Sequence, residues 1–379
     1  MRILVLNYEY PPVGGGGGAV SRQVARHLAA RGHEVGVQTA HWGNLPKVET
    51  VGGVEIRRHF AFRRRKDRCS IFEMVLFVLA GLWPVWRRVK RERPDLLHVH
   101  FAVPTGLLAL AVHKLTGVPY VLTAHLGDVP GGVPQQTDHW FRWIKPLTNV
   151  VWNKAAGATA VSEFVRHLAE ASYHVPVRTL RNGVALPALE EGQLAPHQPP
   201  RMMFAGRFNP QKNLLFLVEV LRILKPLPWT CRLIGDGPEM EMVKKAIADA
   251  ALETRAVLTG WITPAEVDEA LASSDLLLLP SHSEGLPVVA AKALAYGLAV
   301  VGSDIGGLRD VVIHDDNGWL LDHGDAESFA KRLGELLQNP GKLAQMRAAS
   351  RAHADQFDIR RIIDGYERLF ATIADSAKK

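Results

Sequence analysis

Cysteine is nearly absent: 379 residues hold two, Cys69 and Cys231, far apart and at no metal-ligand spacing. That excludes a disulfide-stapled scaffold and a thiolate zinc module, and it reads as a reducing cytoplasm with both thiols as small apolar fillers. No run is long and apolar enough for a membrane span. The longest hydrophobic stretch, residues 71–86, contains Glu73 and Pro84 and reads as a helix. Residues 1–6 form a short buried-strand pattern without the longer apolar region and cleavage site of a signal peptide, so a cytoplasmic protein is expected. No Asp-x-Asp motif is available to hold a divalent ion across two phosphates, so the chemistry is expected to need no metal and no other cofactor. Internal repeats, low-complexity tracts and coiled-coil heptads are also missing.

What is present is an ordinary globular composition, 47% apolar and 22% charged, in a chain long enough for two domains with separate cores. The formal net charge of +7 is concentrated in two clusters, Arg57, Arg58, Arg63, Arg64, Arg65, Lys66 and Arg68, then Arg87, Arg88, Lys90 and Arg91. Phe60, Phe62, Phe72, Phe77, Trp83 and Trp86 are interleaved with them. Cations among aromatics suit an anionic membrane surface or a lipid-phosphate acceptor, giving a peripheral protein on the cytoplasmic face of an inner membrane. A solvated basic face over an ordinary core helix is the plainer reading. No nucleic-acid motif accompanies the charge, so no nucleic-acid partner is expected.

Short apolar runs alternate with helical patterns from the first residue, the signature of parallel βα units. Strands are expected at 2–6, 34–39, 54–59, 96–100, 120–124, 158–161 and 177–180, with helices at 20–31, 71–92, 105–116, 150–156 and 163–171. Residues 186–200 hold four prolines and no periodicity and read as an interdomain linker. The pattern restarts with strands at 202–205, 230–234, 256–259, 276–279, 299–302 and 319–321, and a helical tail begins at 326 with breaks near Pro340 and Phe357. The expected organisation is an α/β protein of two doubly wound parallel-sheet (Rossmann-like) domains facing a central cleft: an N-terminal domain at 1–185, the linker, and a C-terminal domain at 201–357.

Chemistry is expected where strands end in helix-opening turns, because ligands of open α/β sheets bind there. Residues 280–287 follow the apolar strand 276–279 and present Glu284 just ahead of a small-residue helix. Helix-start amides carry partial positive charge and suit a phosphate, while the carboxylate accepts from sugar hydroxyls. The combination points to a nucleotide-sugar site. Residues 206–213 place two permanent cations, Arg207 and Lys212, at another strand end, where they can hold a diphosphate and stabilise its charge as it leaves. Gly235, in Ile234-Gly235-Asp236-Gly237-Pro238-Glu239, and Gly260, beside Trp261, mark two further strand-end turns that offer backbone groups to a nucleobase or serve as plain turns. In the first half, Gly14–Gly18 can wrap a phosphate or sugar at a helix start, or act as an empty connector. His125 ends the strand at 120–124 and either faces a ligand or caps the strand. His98 and His100 share one face of their strand and read as structural.

Together these motifs resemble the retaining glycosyltransferases of family four, which have the GT-B architecture. The likeness is carried by residues 11–16, Gly206-Arg207 with Lys212, 234–239, Ser283-Glu284-Gly285-Leu286-Pro287 and 302–307, and it spans nearly the whole chain. It implies a transferase moving sugar from a nucleotide-sugar donor to a glycan or lipid-linked acceptor, with the nucleotide held mostly by the second domain. It also implies that a last helix at 358–379 packs back on the first domain. Arg207 and Lys212 would bind the diphosphate, Glu284 the transferred sugar, and the amides of Gly285, Leu286, Pro287 and Val288 that segment's sugar and phosphate contacts. His125 would sit near the anomeric centre, with Gly15 and Gly16 on the phosphate and acceptor side. Retention would follow from front-face attack in which the leaving phosphate takes the acceptor's proton, with no protein nucleophile.

One position departs from the pattern. A second glutamate is expected eight residues after Glu284 to bond both ribose hydroxyls, and Lys292 stands there. An ammonium donates but does not accept. The departure leaves open a deoxyribose donor, weaker nucleotide binding, or a non-catalytic nucleotide- or carbohydrate-binding relative. A dinucleotide-dependent oxidoreductase would need an acid closing the second strand, where Gln38-Thr39-Ala40-His41 offers none. A sugar-nucleotide epimerase finds no particular support.

Overall fold

The alternating pattern folds into two α/β units, Met1–Asn182 with Arg360–Lys379, and Gly183–Ile359. The computed structural model describes residues 1–65, 69–190 and 192–377, and of residues 134–140 the backbone only. Lys66 and Arg68 of the first cationic cluster, and Glu191 of the proline-rich stretch, lie outside the described residues.

Unit 1 runs β1 (Arg2–Leu6), α1 (Gly16–Ala30), β2 (Glu34–Ala40), β3 (Val48–Val51), β4 (Val54–His59), α2 (Ile71–Glu92), β5 (Leu96–His100), α3 (Leu107–Thr116), β6 (Tyr120–Ala124), α4 (Pro134–Lys154), β7 (Gly157–Ala160), α5 (Glu163–Tyr173) and β8 (Val177–Thr179). The strands form one sheet in the order β3-β4-β2-β1-β5-β6-β7-β8. Every pairing is parallel except β3 with β4, a hairpin turned by Gly52 and Gly53 at positive φ. The sequence reading has no strand at β3, because an edge strand with exposed valines carries no apolar run. It also begins a helix at 150, whereas α4 starts at Pro134. Proline at the first helical position loses no intrahelical bond, and Pro146 lies within the helix rather than ending it.

α2 opens on a capping box, in which Ser70 Oγ accepts from Glu73 N and the Glu73 carboxylate accepts from Ser70 N at 2.6 Å. Part of the cationic clustering is internal. Arg88 is buried, donating to Glu55 at 2.7 Å, Glu92 at 2.8 Å and the Val37 carbonyl at 3.0 Å, and Arg58 is held by Glu49.

Unit 2 runs β9 (Arg201–Ala205), α6 (Leu214–Ile223), β10 (Thr230–Ile234), α7 (Met240–Asp249), β11 (Ala256–Gly260), α8 (Pro264–Ala272), β12 (Leu276–Leu279), α9 (Val288–Ala295), β13 (Ala299–Ser303), β14 (Gly318–Leu321), α10 (Ala326–Leu337) and α11 (Pro340–His353). Its six strands, all parallel, lie in the order β11-β10-β9-β12-β13-β14. The stretch 186–200 belongs to this unit. Arg347, buried and paired with Asp275 at 2.5 Å, donates to the carbonyls of Gln193 and Ala195, and Arg351 donates to that of Pro187.

The chain then returns to unit 1 in α12 (Ile359–Ala377). Its buried residues, Ile362, Ile363, Tyr366, Leu369, Phe370 and Ile373, recur at helical spacing and define one apolar face. Tyr366 and Phe370 pack on His98, both at 5.1 Å between ring centroids, and Arg31 pairs with Asp364 and Glu367.

Candidate active site

In unit 2 the chain starts at the middle of the sheet and winds outward in both directions, so β9 and β12 are neighbours whose continuations diverge. Such a switch point leaves a crevice at the carboxyl ends of the two strands. The turn after β9 carries Arg207 and Lys212, and the turn after β12 carries Ser281 and Glu284. Lys212 Nζ reaches Glu284 Oε1 at 2.5 Å, and Ser281 Oγ donates to the same oxygen at 2.7 Å. Glu284 is only 6% exposed, and its Oε2 accepts no bond among the described residues. Two ties join the turns: His282 N donates to the Gln211 backbone carbonyl, and the Gln211 side-chain Nε2 to that of Ser283, both at 2.8 Å. Arg207 is half-buried in the same turn as Lys212.

At the neighbouring strand end, after β10, two glycines are packed too closely for a side chain, whereas Gly260 after β11 faces open space. A Cβ on Gly235, whose φ is +133°, would meet the Gly206 carbonyl oxygen at 1.8 Å, and one on Gly237 would meet that of Phe208 at 2.3 Å. Gly235 N donates to Gly260 O at 2.9 Å, Phe208 N to Asp236 O at 2.9 Å, and Glu239 N to Phe208 O at 3.1 Å. The turns after β9, β10 and β11 thereby brace one another. Gly307 does the same for the 284–285 turn: its N–H donates to Glu284 O at 3.1 Å, and a Cβ would lie 2.2 Å from that oxygen. Burial raises the carboxyl pKa of Glu239, and its Oε2 is buried without a hydrogen bond among the described residues. Residues 285–287 lead into α9, with Leu286 buried and Pro287 at the cap.

Unit 1 has its own switch point between β1 and β5. The turn after β1 carries the glycine run. Gly15 and Gly16 face open space, and Gly15 N donates to Glu9 Oε2 at 3.1 Å. A Cβ on Gly17 would strike Phe101 at 2.5 Å and come within 3.3 Å of His125 Nδ1, so the start of α1 passes directly over the imidazole. His125 is buried at the end of β6, and its Nε2 shares a 3.1 Å hydrogen bond with His100 Nδ1. Asp128 locks the position, accepting from His125 N and Ala102 N at 2.8 Å each. Burial depresses the imidazole pKa of His125 to about 4, so the ring is neutral at pH 7. His98 is held down to about 3 by burial and then by His125, and His100 well below its ordinary value by burial and then by both neighbours.

Each of the two sheets carries chemistry-bearing turns at its switch point, and two family models match in succession along this chain. Residues 14–187 match the model for Glycosyltransferase Family 4, and residues 187–353 the model for Glycosyl transferases group 1. The chain belongs to the group 1 glycosyltransferases, with the GT-B fold. This glycosyltransferase is 26% identical to the N-acetyl-alpha-D-glucosaminyl L-malate synthase of Bacillus anthracis, over 95% of this chain and 94% of that one. It is 27% identical to a sulfoquinovosyl transferase of Arabidopsis thaliana, over 88% of this chain and 66% of that one. Among solved structures, a sucrose-phosphate synthase from Thermosynechococcus elongatus superposes with a TM-score of 0.83 at 19% identity, covering 99% of both chains. HepE of Anabaena, solved in complex with UDP and glucose, gives 0.77 at 18% identity over 98% of this chain and 100% of that one.

Within this glycosyltransferase the structure brings Lys212 and Glu284 into contact and places Gly235 and Gly260 side by side. It gives Lys292 a partner that no reading of the sequence supplies. Asp268, on α8, accepts from Lys292 Nζ at 2.5 Å. A carboxylate therefore stands beside the ammonium after all, delivered by a different helix. His100, read from the sequence as structural, and Asp128 are the residues that the structure ties to His125. The signal for His100 was its place at the end of β5, next to β6, two residues beyond His98. Among the described residues no group of three or more His, Cys, Asp or Glu side chains is arranged to hold a metal ion, and no helix is long and apolar enough to cross a membrane.

Proposed function

We propose that this glycosyltransferase transfers a sugar from a nucleoside-diphosphate donor with retention of configuration and without a metal, to a glycan or lipid-linked acceptor at the cytoplasmic face of a membrane. The observation that carries the reading is the Lys212–Glu284 contact at the unit 2 switch point. Arg207 and Lys212 supply the positive charge that a departing diphosphate needs, and the second oxygen of Glu284 accepts from a hydroxyl of the sugar ring. Gly285, Leu286 and Val288 bring backbone N–H groups to the donor phosphates, and Pro287, which has none, fixes the turn at the helix start. Gly235 and Gly260 shape the base side. In unit 1, neutral His125 bonds hydroxyls near the anomeric carbon, and Gly15 and Gly16 leave room for phosphate and acceptor. The leaving phosphate takes the acceptor's proton, so the chain needs no nucleophile of its own. UDP and glucose in the Anabaena relative support a nucleotide donor, and the sulfoquinovosyl transferase and the N-acetyl-alpha-D-glucosaminyl L-malate synthase matched over most of this chain support sugar transfer.

Lys292 and Asp268 together read the ribose: the ammonium donates to one hydroxyl and the carboxylate accepts from another. A calorimetric panel of UDP, GDP, ADP and dTDP tests this. A ribonucleotide is expected to bind at least tenfold tighter than dTDP, with the difference abolished in Asp268→Asn. Binding of none of them would leave a non-catalytic relative. Turnover with the matching nucleotide-sugar, followed by NMR of the anomeric proton in the product, tests retention directly. An inverted product, or a requirement for divalent ions that survives exhaustive chelation controls, overturns that part of the reading.

A further inference from the structure

α2 is apolar on two opposite sides. Phe77, Gly81, Val85 and Val89 form its buried line. At about 100° per residue, Phe72, Val75, Leu79, Trp83 and Trp86 form a second line on the far side. Phe72, Val75, Leu79 and Trp83 are exposed, Leu79 by 66% and Trp83 by 64%. The stripe is not isolated. The chain moves in one direction across the sheet from β4 to β5, β6 and β7, so right-handed crossovers put α2, α3 and α4 on the same face. On α4, Trp143, Leu147 and Val150 are exposed at the same helical spacing. Exposed Arg87 and Lys90 close one end of the α2 stripe, and Arg64 and Arg65 the other.

At that second end the stripe leads to two hollows that share Arg64. Phe72 lines one of about 460 Å³ together with Arg64, Arg65 and Ser70. Arg64 also lines the next, of about 320 Å³, with Trp42, Phe60, Phe62 and Arg63. The Arg64 guanidinium stacks over the Phe62 ring at 5.5 Å, and Phe60 meets Phe62 edge-on at 5.8 Å. Arg63 is the distinctive member. Its side chain is almost wholly buried, with Nη1 donating to the Tyr8 carbonyl and Nε to that of Arg65, each at 3.1 Å. Its Nη2 has no hydrogen bond among the described residues, and Glu9 Oε1 stands 3.8 Å away. A buried guanidinium donor left unbonded is unfavourable, and an anionic oxygen would satisfy it. Glu73 borders the first hollow, but its carboxylate is occupied by Arg64 N, Ser70 N and Ser70 Oγ.

We propose that the α2–α4 face docks on an anionic bilayer and that the hollows at Arg63 and Arg64 take the phosphate head group of a lipid, whose apolar chain lies along Phe72, Val75, Leu79 and Trp83. The inference rests on the membrane and lipid-linked-acceptor reading above and gives it a binding site. Charge decides between occupants. Guanidinium groups and tryptophans beside an uncovered apolar stripe match a phosphate layer over hydrocarbon. A second copy packed face to face would set the same cations against each other.

Flotation of the full chain with vesicles tests the docking. Wild type is expected to float with phosphatidylglycerol–phosphatidylcholine vesicles at low salt, at least tenfold less at high salt, and not with phosphatidylcholine alone. Leu79→Ser combined with Trp83→Ser, all on the surface, is expected to lose flotation at least tenfold. Titration calorimetry with dihexanoyl phosphatidic acid and with inorganic phosphate tests the head-group site. The short-chain lipid is expected to bind at least tenfold tighter, and to lose that advantage in Arg64→Ala and in Arg63→Gln. Equal binding of inorganic phosphate without vesicle binding would assign the hollows to a soluble phosphate and overturn the proposal. So would flotation indifferent to these variants, or a dimer that the stripe variant dissociates. Nucleotide binding by the same samples separates the two readings: vesicle binding without it defeats the transferase assignment alone, and nucleotide binding without vesicle binding defeats this one alone.

Discussion

Lys212 and Glu284 are separated by 72 positions in the chain and by one hydrogen bond in the molecule. Their convergence was legible in the sequence because both occupy strand-end turns of one sheet, and the order of strands does the rest. Glu284→Gln keeps the size and a donor–acceptor group but removes the charge that Lys212 and the sugar share. Turnover is expected to fall about 10²–10³-fold, with thermal stability little changed, as steady-state kinetics and calorimetry would show. Lys212→Ala leaves a buried carboxylate without its cation and is expected to lose both turnover and a few kcal/mol of stability. Asp268 was not legible: its link to Lys292 joins two helices, and nothing local in 264–272 announces it. The buried histidines carry a pH signature. His59 and His125 titrate near 4 and His98 near 3 when folded, because burial disfavours their charged forms. Between those values and the ordinary 6.5 the unfolded chain binds more protons than the folded one. Their stabilisation is therefore complete above about pH 6.5 and is lost as pH falls toward 4. A urea midpoint that drops steeply from pH 6.5 to 4.5, by on the order of 2 kcal/mol per histidine, is expected. A His98→Phe variant should show a shallower drop.

Elements were most legible where burial is two-sided. Strands β1, β5, β6 and β12 are continuous apolar runs sealed on both faces by helices, and their limits follow from composition alone. β3 and α4 were illegible for opposite reasons: one has no buried face to pattern, and the other begins at a proline and contains a second. The glycine-rich turns were legible as turns but not as braces. Only the packed structure shows that the Gly206 carbonyl leaves no room for a side chain at Gly235. Gly235→Ala combines a 1.8 Å clash with an unfavourable φ. It is expected to lower unit 2 stability by about 2–3 kcal/mol in denaturant titrations and to weaken nucleotide binding by displacing the 206–213 turn. The proline-rich stretch at 186–200 looked like free connection because its ties to Arg347 and Arg351 come from side chains more than 150 residues away.

For the molecule as a whole, two α/β units and their family were legible from motif order, with the changes of unit expected at the proline-rich stretch from 186 and at a last helix from 358. The break falls at 182/183 and again at 359/360. Unit 1 is thus assembled from two separated pieces of sequence. Removal of residues 360–379 would uncover the floor beneath His98 and the partners of Ile363, Tyr366, Leu369 and Phe370, a loss on the order of 10 kcal/mol of apolar burial. That approaches the entire stability of an ordinary domain. Hydrogen exchange on the truncated chain is expected to show unit 1 amides unprotected while those of unit 2 remain slow. A ribosome making this chain releases the sheet of unit 1 early but its closing helix last, after all 177 residues of Gly183–Ile359 have emerged. For that interval the nascent protein carries an unfinished hydrophobic surface, so chaperone demand during translation should track the delay before residue 360 appears.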